Sequence, residues 1–334
     1  MEKDTAMKLF VYAMREFDEL KYFEECREKY GITFDYTTAY PNMENIALAR
    51  GSDAVSVITN PIGKELLGAL ADMGVKYLAT RSIGYEHIDV EEARRLGIRV
   101  CHASYSPNSV ANYTIMLMLM ACRNINYILE KSRLQDYSLG GKIGKELSLC
   151  TVGVIGTGKI GETVIEHLSG FGCKMLAYDL YEKDSVKRYA EYVDLEQLYR
   201  ESDIITLHIP GMEENYHMLD EKAFEKMKDG VMLVNAARGM LVDTDALIAA
   251  LESGKVGFAA LDTVEEENGL YYLNREGDII SNRHRAVLGA FPNVILSPHM
   301  AFYTEQAVSD MVGKTVEAMV QLSKGEETLL EVGQ

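Results

Sequence analysis

Three charged side chains are of the types that handle a small acid and move a proton. Arg238, in Val234-Asn-Ala-Ala-Arg-Gly239, offers a planar guanidinium fork suited to a carboxylate. His299, in Leu296-Ser-Pro-His-Met-Ala301, can give and take a proton near neutrality. Such a histidine works best with a carboxylate beside it, which stabilises the charged imidazole. Asp262-Thr-Val-Glu-Glu-Glu267 supplies Glu267 as a candidate partner, with Glu265 and Glu266 as rivals that spacing does not separate.

A second signature binds phosphate rather than protons. Thr151-Val-Gly-Val-Ile-Gly156-Thr-Gly158-Lys-Ile-Gly161 is a β-branched run feeding directly into Gly-x-Gly-x-x-Gly, the way a parallel strand turns into a phosphate-holding helix. Gly156 permits the tight turn, Gly158 lets the backbone approach a pyrophosphate, and Gly161 allows close packing of helix on strand. The free N–H groups of the helix start, with the positive end of its dipole, stabilise an anion there. The next strand, Lys174-Met-Leu-Ala-Tyr-Asp179, ends in an acid at about the 20-residue interval where a carboxylate accepts hydrogen bonds from a ribose. Asp179 therefore favours NAD over NADP, whose 2′-phosphate would meet that charge.

These groups need a parallel sheet behind them, because ligands bind beyond the carboxyl ends of its strands. Residues 203–209, 231–235, 257–262 and 293–297 read as strands that follow the fingerprint, predicting a six-stranded second domain. Since the fingerprint begins only after residue 150, another folded region must precede it. Residues 8–13, 54–59, 76–80 and 98–101 read as parallel strands, and 16–30 and 64–73 as amphipathic helices, giving a first α/β domain. Ser106 as N-cap and Pro107 as a preset first-turn residue predict a helix running toward Glu130, apolar on every side over residues 115–121. A last helix, capped by Thr304, puts Val308, Met311, Val312, Thr315, Met319 and Leu322 on one face and is expected to pack back on the first domain.

Composition narrows the partners. A chain of 334 residues, nearly half hydrophobic, has ample core for about two domains. Its formal charge of -17 argues against nucleic acid or an anionic membrane as partner, since both need a basic face. The 5 cysteines have no Cys-x-x-Cys spacing, so neither a disulfide framework nor a zinc site is expected, and a reducing cytoplasm is the predicted setting. No ligand spacing for a metal is present. His208 is expected on the cofactor side, with His217 nearby, while His87, His102, His167 and His284 show no partner in the sequence.

The order of Gly-x-Gly-x-x-Gly, Asn-Ala-Ala-Arg-Gly, Leu-Asp-x-x-Glu-x-Glu and Ser-Pro-His resembles the D-isomer-specific 2-hydroxyacid dehydrogenases over nearly the whole chain. Thr80-Arg-Ser-Ile-Gly84, Tyr105-Ser-Pro-Asn-Ser-Val-Ala-Asn-Tyr-Thr114, Gly170-Phe-Gly-Cys-Lys and Tyr303-Thr-Glu-Gln-Ala307 are most similar to the D-lactate dehydrogenase branch, including its vancomycin-resistance type. The resemblance implies an α/β fold of two domains. Residues 1–104 and 303–334 would form a smaller, flavodoxin-like substrate (catalytic) domain, and 105–302 a Rossmann-type NAD-binding domain. It implies that Arg238 binds the substrate carboxylate and carbonyl, that His299 donates the proton, and that Glu267 is its partner. Main-chain amides at Ile83 and Gly84 would help hold the carboxylate, with Tyr105 and Phe302 lining the substrate side chain. Cofactor contacts would come from Lys159, Ile160, Asp179, Ile209, Pro210, Asn215, Ala236 and Asp262. Asn112 departs from the pattern, standing where relatives usually carry an acid, and so does Asp179, standing where vancomycin-resistance members can lack one.

The implied reaction is reversible NADH-dependent reduction of a 2-oxo acid, most simply pyruvate, to the D-2-hydroxy acid by hydride transfer. The substrate would sit in a cleft that closes about hinges near Ser104 and Ala301. A homodimer through the nucleotide domain is implied as well. Two alternatives stand beside it: the same reaction on bulkier acids such as phenylpyruvate or 2-oxoisocaproate, and an NAD-sensing binding protein resembling corepressors of this fold. The Arg, Glu and His set favours an enzyme.

Overall fold

The computed structural model describes residues 6–333 as an α/β chain that divides into two compact units, residues 6–106 with 303–333 and residues 107–302. The first unit holds β1 (Lys8–Val11), β2 (Thr33–Tyr36), β3 (Ala54–Val57), β4 (Tyr77–Thr80), β5 (Arg99–His102) and β13 (Glu331–Val332). The second holds β6 (Thr151–Ile155), β7 (Lys174–Tyr178), β8 (Glu191–Tyr192), β9 (Ile204–Leu207), β10 (Val231–Asn235), β11 (Val256–Leu261) and β12 (Val294–Leu296).

In the first unit the strand order is β13-β5-β4-β3-β1-β2, parallel except for the antiparallel β13. Every residue of β3 is buried, as expected of a parallel strand covered on both faces. One face carries Leu9 and Val11, which cluster with Phe23 of the helix Leu20–Tyr30 and with Val312, Val316 and Met319 of the last helix, Glu305–Ser323. Thr304 caps that helix by accepting the Ala307 N–H at 3.2 Å. β2 and β13 lie outside the strands expected from the sequence.

In the second unit the order is β12-β11-β10-β9-β6-β7-β8, all parallel. The sheet has 7 strands rather than the expected six, because the short β8 extends the edge beside β7. From β6 the chain builds outward to β7 and β8, then returns to the other side of β6 to start β9. That reversal opens a crevice at the carboxyl ends of β6 and β9.

One expectation about the helix after residue 106 is corrected. It is two helices, Asn108–Cys122 and Ile125–Arg133, separated where Asn124 takes a left-handed backbone (φ 48°) that no α-helix accommodates. Ahead of the first helix the Ser106 N–H donates to Asp310 Oδ2 at 3.2 Å, and Pro107 immediately precedes Asn108. On the first of the two helices Met116 is 41% exposed, on a groove with Ile115, Leu119 and Phe171.

Candidate active site

Gly156, Asp179, Arg238, Glu267 and His299 all stand at or just beyond carboxyl ends of strands in the second sheet, and β10, β11 and β12, which precede the last three, are adjacent. Sheet register thus does the first part of the positioning. The loops do the rest.

At the switch point, Gly156 has φ 95°, and a Cβ there would lie 2.6 Å from the His208 carbonyl oxygen. Gly161 packs directly on the Gly156 carbonyl, leaving no space for a side chain. Gly158 faces open space, with no heavy atom within 4 Å of where its Cβ would be. It is the N-cap of the helix Lys159–Leu168 and brings no side chain to cap it, so the first N–H groups remain for an anion. Lys159 is exposed and Ile160 half-buried at this start.

The Asp179 carboxylate accepts the Thr157 N–H at 2.6 Å, the Thr157 hydroxyl at 3.1 Å and the Tyr181 N–H at 3.0 Å. Burial alone would raise this carboxyl, but these donors outweigh it and hold Asp179 below the ordinary carboxylate range. A fixed, ionised acceptor at this strand end suits a ribose diol. Together with the uncapped helix start and the open space over Gly158, it makes these residues fit a dinucleotide.

His208 lies just past β9, where burial pushes its imidazole down to about 3. Its Nε2 is 3.0 Å from the Thr206 hydroxyl, which holds the ring in place. Ile209 and Pro210 follow it. Asn215 ties that loop together, donating to the Pro210 carbonyl at 2.7 Å and accepting the Met212 N–H at 2.8 Å.

Arg238 is half-buried on the loop after β10. Asn235, which opens the Asn-Ala-Ala-Arg-Gly motif without having been given a role, shapes this loop: its side chain donates to the Arg238 carbonyl at 2.8 Å and accepts the Ala237 N–H at 3.0 Å, with Ala236 at the bend. Gly239 then packs against the Val264–Glu265 backbone, bringing the Arg238 loop against the acidic one.

The three glutamates separate clearly. Glu267 Oε1 is 2.6 Å from His299 Nδ1. Glu265 instead accepts the Thr244 hydroxyl at 2.6 Å and lies 2.7 Å from His217 Nε2. Burial raises Glu265, yet the Thr244 and His217 hydrogen bonds outweigh it and keep it low. Glu266 is exposed. His217 therefore belongs to this anchoring cluster. The histidines expected without partners have them as well: His87 is 3.0 Å from the Thr80 hydroxyl, His284 3.0 Å from Asp245, and His167 3.0 Å from Asn112.

His299 itself adopts φ 55°, a backbone region that a non-glycine residue occupies only when its surroundings enforce it. Asp262 provides the enforcement. Fully buried, it accepts the Ser297 hydroxyl at 2.6 Å and the Met300 and Ala301 N–H groups at 2.8 Å each, while its own carbonyl accepts the His299 N–H at 2.8 Å. Phe302 is half-buried, its ring 6.3 Å from the His299 ring and nearly perpendicular to it.

In the first unit, the segment after β4 is shaped by a relay in which the Ser82 hydroxyl donates to the Gly84 carbonyl at 2.7 Å and lies 2.7 Å from the Thr80 hydroxyl. Ile83 is 36% exposed on this turn, and Tyr105 is half-buried after β5.

Residues 115–301 match the model of the NAD-binding domain of D-isomer-specific 2-hydroxyacid dehydrogenases. The chain belongs to that family. This dehydrogenase is 45% identical to an aromatic 2-oxoacid reductase of Clostridium sporogenes over 93% of its length and 94% of the relative's. It is 39% identical to a D-lactate dehydrogenase of Lactiplantibacillus plantarum, covering 92% and 93% of the two chains. Among solved structures, a D-2-hydroxyisocaproate dehydrogenase superposes with a TM-score of 0.89 at 37% identity, over 98% of this chain and 99% of the other. The enzyme is thus an NAD-dependent D-2-hydroxyacid dehydrogenase acting on small 2-oxo and 2-hydroxy acids. Among the described residues no helix is long and apolar enough to cross a membrane.

Proposed function

We propose that this dehydrogenase reduces a 2-oxo acid to the D-2-hydroxy acid with His299 as proton donor, Glu267 as the partner of that histidine and Arg238 as the group that receives the substrate carboxylate and carbonyl. The observation carrying this reading is the 2.6 Å pairing of His299 Nδ1 with Glu267 Oε1 on a histidine held at φ 55°. Nδ1–H donates to Glu267 Oε1, and Nε2–H of the imidazolium is the proton assigned to the substrate oxygen. Bound NADH supplies the hydride for substrate C2. As negative charge grows on the carbonyl oxygen, the Arg238 guanidinium stabilises it and His299 gives up its proton.

Residues 107–302 serve as the NAD-binding unit in this reading, and residues 1–106 with 303–334 as the substrate unit, where the Ile83 and Gly84 amides and Tyr105 are assigned to the substrate. Gly156, Gly158, Gly161 and Asp179 hold the dinucleotide, together with Lys159, Ile160, Ile209, Pro210, Asn215, Ala236 and Asp262. The charge on Asp179 supports NADH over NADPH. The apolar groove along Ile115, Met116, Leu119, Met120 and Phe171 supports a homodimer through a second copy of that helix. Five buried free cysteines support a reducing cytoplasm.

Pyruvate, giving D-lactate, is the substrate that the sequence resemblance favours. An aryl 2-oxo acid is the second reading, favoured by the name of the Clostridium sporogenes relative and by the aromatic rings beside His299. The test is to follow NADH oxidation with pyruvate, phenylpyruvate and 2-oxoisocaproate and to resolve the product enantiomers. An L-product, or no turnover with any of the three, would overturn the proposal.

A further inference from the structure

We infer that Tyr272 is a positioning residue for His299 and that, with Phe302, it forms an aromatic wall favouring 2-oxo acids with aryl side chains. The inference rests on the reading of His299 as proton donor. Tyr272 lies in the segment between β11 and β12, and nothing in its sequence neighbourhood marks it for a role.

Three observations converge on it. The Tyr272 phenol donates to the His299 carbonyl oxygen at 3.1 Å. Tyr272 has φ 66° and His299 φ 55°, so two non-glycine residues in the left-handed region are tied by one hydrogen bond. Such strain persists only where the surrounding structure over-determines it, and it gathers at sites that need a group held in an otherwise unfavoured place.

The third observation is the arrangement of rings. Tyr272 is 5.9 Å from His299 and 6.2 Å from Phe302, edge-to-face with the latter at 84°. His299 meets Phe302 at 6.3 Å and 82°. Tyr272 nevertheless stays 46% exposed, unlike a ring recruited to fill a core. An aryl group entering beside the imidazole finds ring faces and edges at the spacing aromatic pairs prefer, whereas the methyl of pyruvate gains little from them.

Two substitutions separate the jobs. Tyr272→Phe keeps the ring and removes the hydrogen bond; kcat should fall roughly two- to twelvefold on pyruvate and phenylpyruvate alike, with KM unchanged. Tyr272→Ala removes both; in addition, the phenylpyruvate-to-pyruvate ratio of kcat/KM should drop roughly two- to twelvefold. NADH binding, followed by fluorescence, should stay at the wild-type value in both, which establishes that each variant is folded. Unchanged kcat in Tyr272→Phe overturns the positioning role, and an unchanged substrate ratio in Tyr272→Ala overturns the wall. His299→Asn runs alongside: if it keeps wild-type turnover, the proton-donor reading fails and takes this inference with it, whatever the Tyr272 variants do.

Discussion

Each unit carries one prominent pair of ionisable side chains just past the carboxyl end of a strand, and the two pairs are built to opposite ends. In the first, Arg81 and Glu19 are both fully buried, 2.9 Å apart. Every guanidinium nitrogen is engaged, with Ser56 and with the Tyr12, Ala13 and Val57 carbonyls besides Glu19. Burial would raise Glu19, but Arg81 and Arg15 outweigh it and keep it ionised. In the second unit, His299 and Glu267 keep 24% and 22% of their side chains exposed. A pair with all its valences used internally fixes backbone. A pair that still meets solvent can do chemistry.

The largest expected effect tests the open pair. His299→Asn should lower kcat about 10²- to 10⁴-fold with NADH affinity retained; steady-state kinetics and fluorescence titration check both. The closed pair should behave inversely. Arg81→Met leaves Glu19 buried without its main counter-charge and should cost about 3–5 kcal/mol of stability in urea denaturation. If Arg81→Met proved as stable as wild type, the contrast between the two pairs would collapse. A smaller effect is expected at the dinucleotide end, where Asp179→Asn should shift the NADH-to-NADPH ratio of kcat/KM by about 10- to 100-fold toward NADPH, as loss of a hydrogen bond to a charged acceptor implies.

The smallest effect compares His299 with another histidine on the same sheet. His208 is held near 3, well below its ordinary value, so the folded protein leaves it neutral where the unfolded chain would take up a proton. Its contribution to stability is complete above about pH 6.5 and is lost as pH falls from there toward 3, at up to about 1.4 kcal/mol per pH unit. His208→Gln should therefore flatten the decline in urea midpoint between pH 6.5 and 5, relative to wild type. A parallel decline in both proteins would contradict the neutral assignment.

What could be read from the chain follows from which signals are local. Strands buried on both faces, such as Ala54–Val57 and Ile204–Leu207, announce themselves as near-continuous apolar runs, interrupted only by Ser56 and Thr206. The edge strand Thr33–Tyr36 has no buried residue, and Glu191–Tyr192 and Glu331–Val332 are only 2 residues long, so they carry no period to detect. The fingerprint glycines were legible because their spacing is set by one turn. The division of labour among Glu265, Glu266 and Glu267 was not, since it depends on Thr244, His217 and His299, which approach from other strand ends. Arg81 sat inside a recognised stretch without its role being visible, because its acceptors belong to β1 and β3 and the segments after them. Tyr272 meets His299 across 27 positions of sequence, beyond the reach of any periodicity.

The tail strand has a practical side. β13 lies antiparallel on β5, and Glu331 grips Arg99 through two hydrogen bonds of 2.7 and 2.6 Å. Without those few terminal residues, β5 would present bare amides and carbonyls to any neighbouring chain, an invitation to edge-to-edge clumping. Proteolytic trimming at this end should therefore show up as turbidity well before it shows up as lost turnover.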